Sequence, residues 1–154
     1  MPEIPRLDDH FAVQATIQRY AFAVDSGRFE LFDETFTADS ELDYRSAGGP
    51  CGSRDEVRRW LEQSRAGLLR WQHHLSPPLI DLNGAAARGR TDVYTANVFR
   101  DPSGQVHVLH SGGCYHDELV DTLDGWRIRR RRFESTWADG AGIDVLLPEP
   151  TRST

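Results

Sequence analysis

The sequence predicts an α+β fold in which helices come first and an antiparallel meander follows. Three observations carry that prediction. Apolar residues recur at helical intervals near the N-terminus, a helix-opening capping box stands at Ser53, and three hairpin-turn signals divide the second half.

Taken in order, Val13, Ile17, Tyr20 and Val24 step by four, three and four, which makes one helix stripe from Asp9 to Val24. Ser26-Gly27 ends it. A second, short helix is expected over Phe29 to Phe36. Leu42 and Tyr44 alternate with Glu41 and Asp43, which suggests a strand before the third helix. Ser53-x-x-Glu56 is a capping box, and the helix it opens carries Val57, Trp60, Leu61, Ser64 and Leu68 on one side. After Arg70 the turn signals Asn83-Gly84, Asp101-Pro-Ser-Gly104 and Leu123-Asp-Gly125 delimit strands over roughly 71–82, 86–99, 105–120 and 126–137. Gly112-Gly113, inside the third of these, marks a bulge or sharp bend rather than a phosphate loop. The last stretch, 138–154, holds an apolar patch from Ile143 to Leu147 closed by Pro148 and Pro150; it is a lid, a dimer contact or a docked tail.

Composition narrows the class. At 154 residues the chain is one ordinary domain with a single core. A formal charge of −6 argues against a generic nucleic-acid surface. No apolar run approaches the roughly 18 residues of a membrane span. The opening Met-Pro-Glu-Ile-Pro-Arg lacks the basic-then-apolar pattern of a signal peptide, so a cytoplasmic location is expected. Cys51 and Cys114 are far apart and outside any Cys-x-x-Cys pair, and His107 and His110 would face opposite sides of a strand. Two free thiols and no metal site are the expectation.

Asp25, His73 and Tyr20 are the residues best suited to chemistry. Asp25 falls at a helix C-terminus, where the macrodipole disfavours an ionised carboxylate; walled by Phe22, Phe29 and Phe36 it would serve proton transfer, and otherwise it only starts the Asp-Ser-Gly turn. His73 is a structural strand residue or, held by Asp25, a base with a fixed tautomer; its neighbour His74 must then face away. Tyr20 lies on the apolar stripe, so its phenol can donate to a carbonyl or a leaving group. Five residues rotate an ideal helix by about 140°, so Tyr20 and Asp25 do not share a face unless the helix end unwinds. Arg129 to Arg132 alternate, so about two should point inward, either into a pocket or as part of a paired, solvated stripe. Tyr44, Trp60, Tyr94, Asn97 and Glu134 are further candidate pocket residues for binding substrate.

The segment Ile17 to Tyr44, with Gln72-His-His-Leu-Ser76, Gly112-Gly-Cys-Tyr115-His-Asp-Glu-Leu119 and Gly125-Trp-Arg-Ile128, resembles the SnoaL-like branch of the NTF2-like superfamily. The resemblance implies a cystatin-like α+β barrel, with helices packed on a strongly curved sheet around an apolar pocket. It also implies an Asp–His pair that transfers protons without a cofactor, which selects Asp25 and His73. The spacing of Tyr20, Asp25 and His73 is similar to that of bacterial bile-acid dehydratases. It is similar too to that of hexachlorocyclohexane dehydrochlorinases, which have Lys where this chain has Tyr20. The Arg those enzymes place five residues after the final-strand Trp falls here on Arg131, in a role of fixing charge. Scytalone dehydratases are a further resemblance, but their second pocket His has no counterpart near Val98. The implied function is elimination, such as dehydration, from a hydrophobic polycyclic or terpenoid-like molecule. The rivals are a cyclase or isomerase that uses Asp25 or Glu134, and a non-catalytic binding module. A homodimer or higher homo-oligomer packed through one sheet face is also expected.

Overall fold

A computed structural model describes residues 6–140. Helix α1 spans Leu7–Ser26 and stops at Gly27, whose φ of 72° suits a residue without a side chain. Its stripe Val13, Ile17, Tyr20 and Val24 is buried. A 3-10 turn at Phe29–Leu31 and the four-residue α2, Phe32–Thr35, replace the single short helix expected there. Helix α3, Arg54–Ala66, starts at Ser53 with both halves of the capping box formed and buries Val57 and Leu61.

Among the described residues seven strands form one sheet: β1 Phe36–Asp43, β2 Cys51–Ser53, β3 Arg70–Leu75, β4 Leu79–Asn83, β5 Ala86–Arg100, β6 Val106–Thr122 and β7 Gly125–Asp139. The order is β2-β1-β7-β6-β5-β3, with β4 also paired to β5. All three predicted hairpin turns are present. The strand expected over 71–82 is broken in two, because Pro77 and Pro78 have no N–H to donate to a ladder. The pairing is not antiparallel throughout: β1 runs parallel to β7, a direction open to strands that no hairpin joins. Among the described residues the sheet is also not closed, since β2 and β3 remain separate edges; helices α1 and α3 pack over its inner face instead. The C-terminal patch from Ile143 to Leu147 lies outside the described residues.

Two bulges in β7 decide what faces inward. Leu119 pairs with Ile128 and Glu118 with Arg130, which leaves Arg129 as an extra residue. Gly113 pairs with Ser135 and Gly112 with Trp137, which leaves Thr136 extra. Each insertion reverses the in–out alternation. Simple alternation had two of the four arginines pointing in, but only Arg131 is buried. Beyond the second bulge Trp137 lies on the outer face, over Gly112, where a Cβ would collide with its indole.

Candidate active site

Asp25 stays in the last turn of α1, next to the first residues of β3. Its Oδ2 accepts the His73 backbone N–H at 2.8 Å and its Oδ1 meets His73 Nδ1 at 2.5 Å. This two-point grip fixes the ring and assigns the proton to Nδ1, leaving Nε2 free to accept one. The His73 side chain is almost entirely buried, whereas that of Asp25 is one-quarter exposed (25%). Phe22 points to solvent, so the aromatic enclosure expected around the carboxylate is incomplete. Arg65, from the last turn of α3, donates to the carbonyls of Val24 and Asp25, both at 3.2 Å. Its guanidinium offsets the negative end of the helix, the penalty that made Asp25 a doubtful place for a carboxylate. Tyr20 and Asp25 do not share a helix face, and α1 does not unwind to bring them together. They meet through His73, whose ring stands edge-on to Tyr20 with centroids 6.2 Å apart.

Tyr20, Tyr44 and Tyr115 converge on the wall of a partly open cavity of about 200 Å³ that His73 also lines. Burial pushes the Tyr20 phenol well above its ordinary value, with the neighbouring phenols adding to the effect and Arg131 opposing it. Burial likewise raises Tyr44 and Tyr115. All three are therefore neutral O–H groups at physiological pH, suited to donating hydrogen bonds rather than taking up protons.

Arg131 does not line this cavity, contrary to the charge-fixing role there that the resemblance implies. Its side chain has no solvent exposure and makes two parallel hydrogen bonds of 2.7 Å to the equally buried Asp117. The guanidinium lies 4.3 Å from the Tyr20 ring centroid and 4.1 Å from that of Tyr115. Burial disfavours the cation, but Asp117 outweighs it and holds Arg131 well above its usual value. Arg131 therefore acts as a wedge that positions two phenols.

The cavity also takes in Trp60 and Asn97, as well as Tyr44, from the sequence-derived candidates. Two others are excluded. Tyr94 lies on the outer face, bonded to His110 at 2.5 Å and packed near Trp137. Glu134 is exposed there too, paired with His116 at 2.9 Å and with Arg132 at 3.3 Å. Both are even-numbered neighbours of inward residues, so strand alternation turns them away. Tyr115 and Trp71 line the cavity and were missed, although Tyr115 stood in a motif already noted; parity alone could not orient β6 without knowing the register. A larger outer groove of about 690 Å³ crosses the sheet between Glu41 and Asp81, but alternating surface charges form its walls and His73 is absent from it. Among the described residues no group of three or more His, Cys, Asp or Glu could hold a metal ion. No helix among them is long and apolar enough to cross a membrane.

Helices on an open, mostly antiparallel sheet, with a cavity between them, make this an NTF2-like α+β protein. The chain belongs to the SnoaL-like domain family, whose model matches residues 5–132. An uncharacterised protein of Mycobacterium tuberculosis is 33% identical over 131 residues, 85% of this chain and 88% of that one. An NTF2-like superfamily protein of Salmonella enterica superposes with a TM-score of 0.72 at 19% identity, covering 88% of this chain and 96% of that one. The LinA-type3 hexachlorocyclohexane dehydrochlorinase of Novosphingobium barchaimii gives 0.74 at 13% identity, covering 90% and 94%. At such identities the likeness of the two solved structures is one of fold.

Proposed function

We propose that this protein is an acid–base enzyme, needing no cofactor, that eliminates water or a similar leaving group from a small hydrophobic ring compound. The observation that carries the reading is His73, gripped at Nδ1 by Asp25 and forming part of the wall of an apolar cavity beside three neutral phenols. His73 Nε2 takes a proton from carbon, and Asp25 stabilises the imidazolium that forms. The C–H electrons become the new double bond as the C–O bond breaks. The departing oxygen takes a proton from the imidazolium, or from Tyr20, whose phenolate the imidazolium then reprotonates, and leaves as water. The similarity of fold to a dehydrochlorinase supports elimination as the reaction class. An engineered cavity of about 150 Å³ binds benzene, so 200 Å³ suits one or two rings better than the larger polycyclic skeleton first expected.

Cyclic β-hydroxy ketones are suitable test substrates, because the conjugated enone formed on dehydration absorbs in the ultraviolet. His73→Ala should lower kcat by roughly 10²–10⁴-fold with little change in binding. Asp25→Asn should cause a comparable loss, and the double variant should lose little more, because the pair acts as one unit. Unimpaired turnover in His73→Ala would refute the mechanism. An isomerase reading shares the first step and is favoured by the number of neutral phenols available to an enolate oxygen. It differs in product, since the proton returns to another carbon and no leaving group is lost. Tight binding of many apolar ligands with no turnover would point to a binding module.

A further inference from the structure

Three polar atoms in the residues lining the cavity have no partner among the described residues: the Tyr44 hydroxyl, which belongs to the cluster of phenols, and two others. The indole Nε1 of Trp71 and the amide Oδ1 of Asn97 are both buried and make no hydrogen bond. The two residues face each other directly across the β3–β5 pair, and both line the cavity that holds His73. The hydroxyls one step further along, Thr95 and Ser111, bond each other at 2.5 Å and need nothing more. Trp71 and Asn97 are left with one unused donor and one unused acceptor. An unpaired buried polar group is costly, and a ligand that satisfies it recovers that cost.

We propose that Trp71 and Asn97 form a specificity subsite for a hydroxyl group on the ligand. A hydroxyl answers both atoms at once through one oxygen, accepting from the indole N–H and donating to the amide oxygen; a carbonyl satisfies only the first and an ammonium only the second. The subsite has a defined position. Trp71 precedes His73 by two residues on β3, a step of about 6.6 Å along a strand. The Trp71 and His73 rings lie 5.3 Å apart, so one small ring can span from the base to the subsite. The substrate class is thus a one- or two-ring compound with a hydroxyl about one ring's width from the carbon that loses its proton. This inference rests on the cavity being a substrate site, and it needs no particular reaction there.

The probes are 4-methylphenol and 1,4-dimethylbenzene, which share shape and differ by a hydroxyl in place of a methyl. An apolar cavity prefers the hydrocarbon, because burying an unbonded hydroxyl is costly. Binding is followed by NMR on the full chain, with the Trp71 indole resonance identified by its loss in Trp71→Phe. The phenol should bind about tenfold more tightly than the hydrocarbon and should shift that resonance downfield, while the hydrocarbon should not. Asn97→Leu and Trp71→Phe should each lower the phenol-to-hydrocarbon preference by about tenfold. Equal or tighter binding of the hydrocarbon by wild type, or of neither probe, overturns the proposal. A phenol preference that survives in both variants also overturns it, by placing the hydroxyl with Tyr20, Tyr44 and Tyr115. If a variant does not fold, the Trp71 shift in wild type decides alone. A hydroxyl preference without turnover would remove the acid–base reading and leave the subsite. Turnover lost in His73→Ala with no hydroxyl preference would do the reverse.

Discussion

Replacing Asp117 by Asn should be among the most destabilising single changes in this protein. The substitution keeps shape and removes only the charge facing Arg131, whose side chain has no contact with water. One of its nitrogens, Nη1, already lacks a hydrogen-bond partner among the described residues. The two hydrogen bonds of 2.7 Å to Asp117 and the rings of Tyr20 and Tyr115 are what compensate the buried cation. Breaking a buried ion pair by removing one partner typically costs about 3–5 kcal/mol, because the remaining charge has nowhere to be solvated. At about 2–4 °C per kcal/mol for a chain near this length, Asp117→Asn should lower Tm by roughly 10 °C. Urea unfolding followed by circular dichroism gives the free energy directly. The double variant Arg131→Met, Asp117→Leu supplies the control. It removes both charges and should be far less destabilised than either single change, so the cycle returns a large coupling. Its turnover should still fall, because the cationic wedge between the two phenols is gone. A loss below about 1 kcal/mol in Asp117→Asn would refute the assignment of Asp117 as the counter-charge.

Three further outcomes are expected. The folded phenols of Tyr20, Tyr44 and Tyr115 are held above their ordinary value, so the folded state keeps protons that the unfolded chain releases. Their contribution to stability is full below the unfolded phenol value of about 10 and is lost as pH rises above it toward the folded values, at about 1.4 kcal/mol per pH unit for each phenol. Denaturant titrations between pH 9 and 11 check this, and flat stability there contradicts it. Ser53→Ala removes the hydroxyl that accepts the Glu56 N–H at 3.3 Å and should cost about 1 kcal/mol, read as a lower urea midpoint at unchanged slope. A homodimer is proposed across the outer face, where Tyr94, Val108 and Trp137 stay exposed, burying roughly 1,600 Å². Light scattering at micromolar concentration should give twice the chain mass and Trp137→Asp half of that; a wild-type monomer would contradict the proposal.

Local signals alone determined much of this protein. The α1 stripe, the Ser53–Glu56 box and the three hairpin turns are short-range features, each set by backbone chemistry within a few residues, and all appear where periodicity and turn residues put them. Asp25 and His73 were legible as a pair only through family resemblance, because 48 residues separate them and no spacing rule joins a helix end to a strand. Tertiary structure decided the rest. The bulge at Arg129 turned a run of four arginines into one buried cation and three surface ones, and the bulge at Thr136 sent Trp137 outward. Such insertions reset a two-residue alternation and are defined by which residues pair across strands. The parallel β1–β7 pairing, the Asp117 partner of Arg131 and the unpartnered Trp71–Asn97 pair share that origin. They are contacts between strands, created when the chain closes on itself, so the order of residues along any one segment does not contain them.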